Sequence, residues 1–254
     1  KALRRRRGLS VDKKAILRAV DNELARAYHA LAAAEALQLT GPPNPQTPRS
    51  GPLAAEALLA SALQGKIDAG VQRVFTLLGI LFPEAEIELI YAGFHDASAT
   101  DAARRRSNVV ELLDNVLDRP LRRKLFPLIE DMSRDSRLRA AAEDFPLPDA
   151  SPVEVLRTLL LDDSAWVRAC AAQLAGERFD PALRKAMLDD AEHPSPVVRE
   201  ASLSALQKSV PLSELVRVVE KHSCDESRAV RERARTMLAA LEAALPTASG
   251  SRNR

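Results

Sequence analysis

Residues 153–180, VEVLRTLLLDDSAWVRACAAQLAGERFD, carry the pattern that decides the fold. Counting from Val167, positions +3, +4, +7 and +8 are Cys170, Ala171, Leu174 and Ala175, which is the spacing of one face of an α-helix. The stripe recurs as Ala201, Ser202, Ala205 and Leu206 after Val198, and as Arg233, Ala234, Met237 and Leu238 after Val230. Weaker copies offer Asn108, Val109, Leu112 and Leu113 after Arg105, and Ala141, Ala142 and Phe145 after Leu138 until Pro146 stops them. Each copy holds an arginine beside the stripe: Arg106, Arg139, Arg168, Arg199 and Arg231, spaced 33, 29, 31 and 32 residues apart. A helical stripe returning at a period near thirty is the signature of an α-solenoid, an architecture that more often binds than catalyses.

Composition agrees with an all-α chain. Ala and Leu dominate, aromatic residues make up 4%, and the period-2 runs of β-branched residues that mark strands are scarce. A chain of 254 residues has enough core to fold without disulfides. The two cysteines, Cys170 and Cys224, make no framework, and Cys170 sits on an apolar helical face, which fits a reducing compartment. No apolar run reaches the roughly 18 residues a membrane span requires. The net charge of +2 conceals a terminal cluster of Lys1, Arg4, Arg5, Arg6 and Arg7, five positive charges without an acid. The first residue is Lys1 and not methionine, which suggests either processing or a piece of a longer chain.

Proline, glycine and capping residues punctuate the rest. Ser10 and Asp12 offer the start of one long amphipathic helix over 11–39, ended by Gly41, and GPPNPQTPRSGP at 41–52 reads as a proline-rich linker. Three helices are expected over 53–64, 66–82 and 84–94. Further ones follow over 101–118, 120–131, 136–144, 152–161, 164–177, 180–190, 196–208, 211–221 and 226–244, with Pro120, Pro152, Pro181, Pro196 and Pro211 near helix starts. The expected organisation is a basic segment with a detached long helix (1–40), the linker (41–52), a less regular helical cap (53–94), helix pairs (95–245) and a disordered polar tail (246–254).

An apolar first helix, a turn with aspartate and VRxxA opening a second helix resemble a HEAT repeat, the armadillo-like α-solenoid family. PVVREAS and AVRERA repeat the opening of that second helix. The resemblance is clearest over 151–244. It implies a structural ladder in which turn aspartates meet helix arginines, pairing Asp162 with Arg168 and Asp225 with Arg231, with Arg106 and Arg139 in corresponding places. The copy around Arg199 departs from the pattern, because His193 stands where the aspartate belongs and Asp189 and Asp190 lie further back; its ladder contact is therefore open. RVFTLLGILFPEAEIELIYAGF and RSNVVELLDNVLDRPLRRKLFPLIED resemble the cytoplasmic helical region of bacterial membrane proteins that join a transporter-like domain, of the major facilitator or nucleotide-translocase type, to HEAT repeats. That likeness implies a cytoplasmic location at the inner face of the membrane, with the terminal basic cluster near anionic lipid.

The resulting expectation is a non-catalytic scaffold or regulatory domain that binds a protein partner or its own membrane domain. No cofactor is expected. His29, His95, His193 and His222 share no metal-ligand spacing, and no phosphate-cradling loop, GxSxG turn or isolated carboxylate pair is present, so no catalytic, cofactor or metal residues are assigned. Arg104, Arg105 and Arg106, with Arg122, Arg123 and Lys124, form two basic clusters that support the alternative: a freestanding nucleic-acid-binding protein related to helical-repeat DNA glycosylases. Trp166, in the first turn of its helix, is expected to pack on the preceding helix.

Overall fold

The computed structural model describes residues 12–39, 52–85, 87, 90, 91, 102–147, 150–178 and 180–244. The fold is all-α, with no strand among the described residues. These residues contain α1 (Lys13–Ala36), α2 (Pro52–Leu81), α3 (Ala102–Asp114), α4 (Arg119–Ile129), α5 (Arg134–Ala141) and α6 (Pro152–Leu159). There follow α7 (Ala165–Arg178), α8 (Arg184–Ala191), α9 (Pro196–Ser209), α10 (Leu212–His222) and α11 (Arg228–Ala244).

Local chemistry sets most of the boundaries. Asp12 caps α1 by accepting from the Lys14 and Ala15 amides at 2.9 and 3.2 Å, and Asp118 accepts from the Leu121 amide to start α4. Ser151 and Glu154 form a reciprocal capping box at α6, with Pro152 supplying a preset φ at the first helical position. At the far end of α1, Gln38 takes a left-handed φ of 54°, a conformation that glycine adopts more cheaply.

One expected break is absent: residues 53–64 and 66–82 belong to a single thirty-residue helix, α2, which runs through Gly65. Nothing lies within 4 Å of where a Cβ on Gly65 would be, so the glycine is neither a turn nor a packing site. A glycine inside a helix costs only about 0.5–1 kcal/mol, too little to break one with apolar residues on both sides. After α2 the expected helix over 84–94 begins instead as a 3₁₀ turn, Pro83–Ala85. The basic segment before residue 12, most of the proline-rich linker and the tail from 245 lie outside the described residues.

The chain divides into two compact units and crosses between them at residues 38/39, 62/63 and 149/150, the second crossing falling inside α2. The first unit gathers α1 with the later part of α2 and with α3 to α5; the second gathers the earlier part of α2 with everything from residue 150. The expected detachment of α1 is thereby corrected. Val20, Leu24, Tyr28 and Leu31 on one face of α1 are fully buried, and α1 packs on α5. Tyr28 stacks on Phe145 with ring centroids 5.1 Å apart, and its hydroxyl donates to the Lys124 carbonyl at 2.8 Å. Lys124 in turn reaches Asp21 at 2.7 Å.

In the second unit, α6 packs on α7, α8 on α9 and α10 on α11, while α9 lies between α7 and α11. Contact between α7 and α9 is extensive and rests on small residues. A Cβ added to Gly176 of α7 would come within 2.6 Å of the Ala205 Cα of α9, so the two backbones approach too closely for any side chain there. Val167, Cys170, Ala171, Leu174 and Ala175 are all buried, as are Val198, Ala201, Ser202, Ala205 and Leu206.

Candidate functional site

The second helices α7, α9 and α11 place Arg168, Arg199 and Arg231 one residue after a buried valine: Val167, Val198 and Val230. Each arginine therefore leaves its helix from the first turn, next to the core stripe and close to the preceding turn. Two of them reach a carboxylate of the following helix pair.

Arg199 makes the stronger contact. Its Nε donates to Asp225 Oδ2 at 3.0 Å and its Nη2 to Asp225 Oδ1 at 2.7 Å, a two-pronged fork between side chains less than 10% exposed. Its Nη1 turns back and donates to the carbonyls of His193 and Pro194, both at 2.9 Å. Held by Arg199 and by the Ser227 amide, the Asp225 carboxyl titrates at about 2, well below the usual aspartate range. Arg168 reaches forward to Asp190, but its Nε (2.7 Å) and Nη2 converge on the single oxygen Oδ1. Asp190 Oδ2 stays buried without a partner. Burial raises the Asp190 pKa against the opposing pull of Arg168.

Arg168 and Arg199 thus each reach the helix pair ahead of them, which corrects the expected partnering. Arg168 meets Asp190, not a carboxylate of its own turn, and Arg199, whose contact the sequence left open, makes the most complete rung. The turn aspartates are engaged locally: Asp162 accepts from the Ser164 amide and Asp225 from the Ser227 amide, both at 2.8 Å. Arg231 meets Asp225 only at its backbone carbonyl. Arg139 lies on an exposed face and pairs with Asp135 of its own helix at 2.6 Å. Arg106 belongs to α3, and its side chain lies outside the described residues.

His193 fills the place of the turn aspartate. Its Nδ1 accepts from the Ser195 amide at 3.0 Å, the bond that Asp162 and Asp225 make in their turns. Three residues earlier, at the end of α8, stands Asp190; at the matching end of α10 stands His222, three residues before Asp225. Acid and histidine have exchanged places between the two pairs. Buried His222 lies with Nδ1 3.3 Å from Asp225 Oδ2 and Nε2 3.4 Å from Glu192 Oε1. Sequence reading missed Asp190 and His222 as members of the ladder, although their three-residue offset from His193 and Asp225 was a usable signal.

Three large apolar side chains stand exposed near these turns. Leu161, Trp166 and Val197 are 69, 53 and 46% exposed, and Trp166 and Val197 stand at equivalent positions of α7 and α9, two residues before the ladder arginines. Trp166 was expected to be packed inward. It faces outward because the inward positions of the first turn belong to Val167 and to small residues one turn on.

The remaining candidates do not assemble chemistry. Arg122 pairs with Asp114, Arg123 with Glu143 and Asp144, and Lys124 with Asp21. A cleft of about 550 Å³ in the first unit is bordered by Glu111, Asp114, Glu130 and Asp131, with Ser107 and Asn115 beside them. Among the described residues no group of three or more His, Cys, Asp or Glu is arranged to hold a metal ion. Cys170 is buried, and burial pushes its thiol up to about 12, out of the range of a nucleophile at neutral pH. No helix among the described residues is long and apolar enough to cross a membrane. No known protein family, curated protein or solved structure matches this chain.

Proposed function

We propose that the chain is a non-catalytic binding module whose second unit is a short α-solenoid of HEAT-like helix pairs. It serves to scaffold or regulate a membrane-bound assembly, as the cytoplasmic part of a larger transporter-like protein. The observation that carries the reading is the division of labour in the second unit. Arg168, Arg199, Asp190 and Asp225 are spent on joining successive pairs, while large apolar side chains at the turn edge, Trp166 foremost, are left outside. Exposed apolar surface of this kind is the usual mark of a protein-docking edge. The pairing of Arg122, Arg123 and Lys124 with carboxylates leaves that cluster little charge for phosphate and weighs against the nucleic-acid alternative.

A photo-crosslinking residue at position 166, compared with one at exposed Glu220, tests the reading in cells of the source organism. Partner adducts at 166 alone, with the native polypeptide in the membrane fraction at a mass well above 27.7 kDa, are the expected result. Absence of adducts at 166 overturns the binding edge, and a soluble band near 27.7 kDa overturns the membrane assignment. Changing Arg4, Arg5, Arg6 and Arg7 to Ser is expected to lower membrane association while leaving the helical circular dichroism unchanged.

A further inference from the structure

The outer edges of the three ladder arginines are not used alike among the described residues. Arg199 and Arg231 use Nη1 identically, each donating it to two carbonyls of its own turn: His193 and Pro194 for Arg199, Asp225 and Glu226 for Arg231. In Arg199 the remaining edge of the guanidinium, Nε and Nη2, grips Asp225. Arg168 turns the same two atoms on Asp190. In Arg231 that edge meets no carboxylate among the described residues. The nearest acid on α11, Glu232, is taken by Arg228 at 2.7 Å, and Glu226 lies 3.5 Å from Arg199.

The surroundings have the charge such an edge needs. The first two turns of α11 carry Arg228, Arg231, Arg233 and Arg235 against Glu232 alone. Arg233 is occupied with Ser204 at 2.9 Å and Arg235 with the Ser223 carbonyl at 3.1 Å, contacts to neutral groups that leave their charge uncancelled. The local excess is positive, so the complementary partner is acidic.

We propose that Arg231 is an open rung of the ladder and that this face of α11 docks a carboxylate-bearing segment of a partner protein. An aspartate or glutamate of that segment occupies, relative to Arg231, the position that Asp225 occupies relative to Arg199. The planar fork of a guanidinium selects a two-oxygen acceptor, and both filled rungs hold a carboxylate. The inference rests on reading the second unit as a binding module and names the chemistry of one contact surface on it, separate from the Trp166 edge.

The test follows the arginine Nε–Hε resonances of the ¹⁵N-labelled full chain, with Arg231 assigned from Arg231→Gln. The probe is a capped peptide copying residues 184–195, which deliver Asp190 to Arg168. Its control carries Asp189→Asn and Asp190→Asn. The expected result is a saturable shift of Arg231 at millimolar peptide, with Arg168 and Arg199 unmoved and the control binding about five-fold more weakly, the size of one exposed charge-assisted pair. Loss of the response of neighbouring α11 amides in Arg231→Gln supports it further. Equal binding of the control peptide, no saturable shift, or a larger response to inorganic phosphate overturns the carboxylate assignment. A shift that follows protein concentration without peptide identifies a second copy as the occupant and overturns it equally. None of these outcomes touches cross-linking at position 166, so the two readings fail separately.

Discussion

In the first unit one large side chain organises its neighbours: Tyr28 stacks on Phe145 and binds the Lys124 carbonyl, and the ion pairs around it are largely solvated. In the second unit α7 and α9 meet through glycine and alanine, and the polar groups that matter are buried between pairs. The contrast is between a core fixed by the shape of an aromatic plug and one fixed by close backbone approach plus directed charge. It predicts that the two units respond oppositely to the same kind of substitution.

The largest effects should come from the element each unit depends on. Arg199→Ala leaves Asp225 buried without its cation and is expected to cost about 3–5 kcal/mol in urea unfolding, whereas Arg123→Ala, which removes an exposed guanidinium, should cost far less. Tyr28→Ala should cost a similar 3–5 kcal/mol by emptying an aromatic site, and Tyr28→Phe about 1, for one hydrogen bond. Gly176→Ala should cost about 1–3 kcal/mol, because the atoms it meets are backbone and cannot rotate away; Gly65→Ala, in open space, should be neutral or stabilising.

Acid sharpens the comparison within the second unit. Asp225 has a depressed pKa, so its stabilising contribution is complete above the unfolded aspartate value near 3.9 and is lost as pH falls toward about 2. Asp190 has a raised pKa, so protonation relieves its burial and its contribution changes in the opposite direction. The stability gap between wild type and Asp225→Asn should therefore narrow with acid, while wild type gains on Asp190→Asn as that carboxyl protonates; urea titrations at a series of pH values read both. The smallest expected effect is at the end of α1, where Gln38→Gly should raise the melting temperature slightly by removing a left-handed conformation from a residue with a Cβ.

The sequence showed the second unit better than the first. The stripes after Val167, Val198 and Val230 are local, so spacing alone reveals the helices, their buried faces and the arginines that flank them. The partners of those arginines lie 22 and 26 residues away in the adjoining pair, and which acid is used depends on packing that periodicity does not encode. In the first unit the decisive contacts, Tyr28 with Lys124 and Phe145, join residues about a hundred positions apart with no repeat to announce them. The same distance problem hid the packing of α1, and a glycine with no steric role disguised the continuity of α2.

The exchange of acid and histidine between Asp190/His193 and His222/Asp225 limits how these helix pairs can be recombined. A carboxylate at the end of α8 opposes the negative end of that helix's dipole, whereas one in the turn before α11 faces a positive end, and the histidine takes whichever place the acid vacates. Each pair is therefore fitted to its predecessor by the position of one acid. Duplication or shuffling of pairs, by recombination or by design, preserves the joints only if that acid is moved to suit the new neighbour.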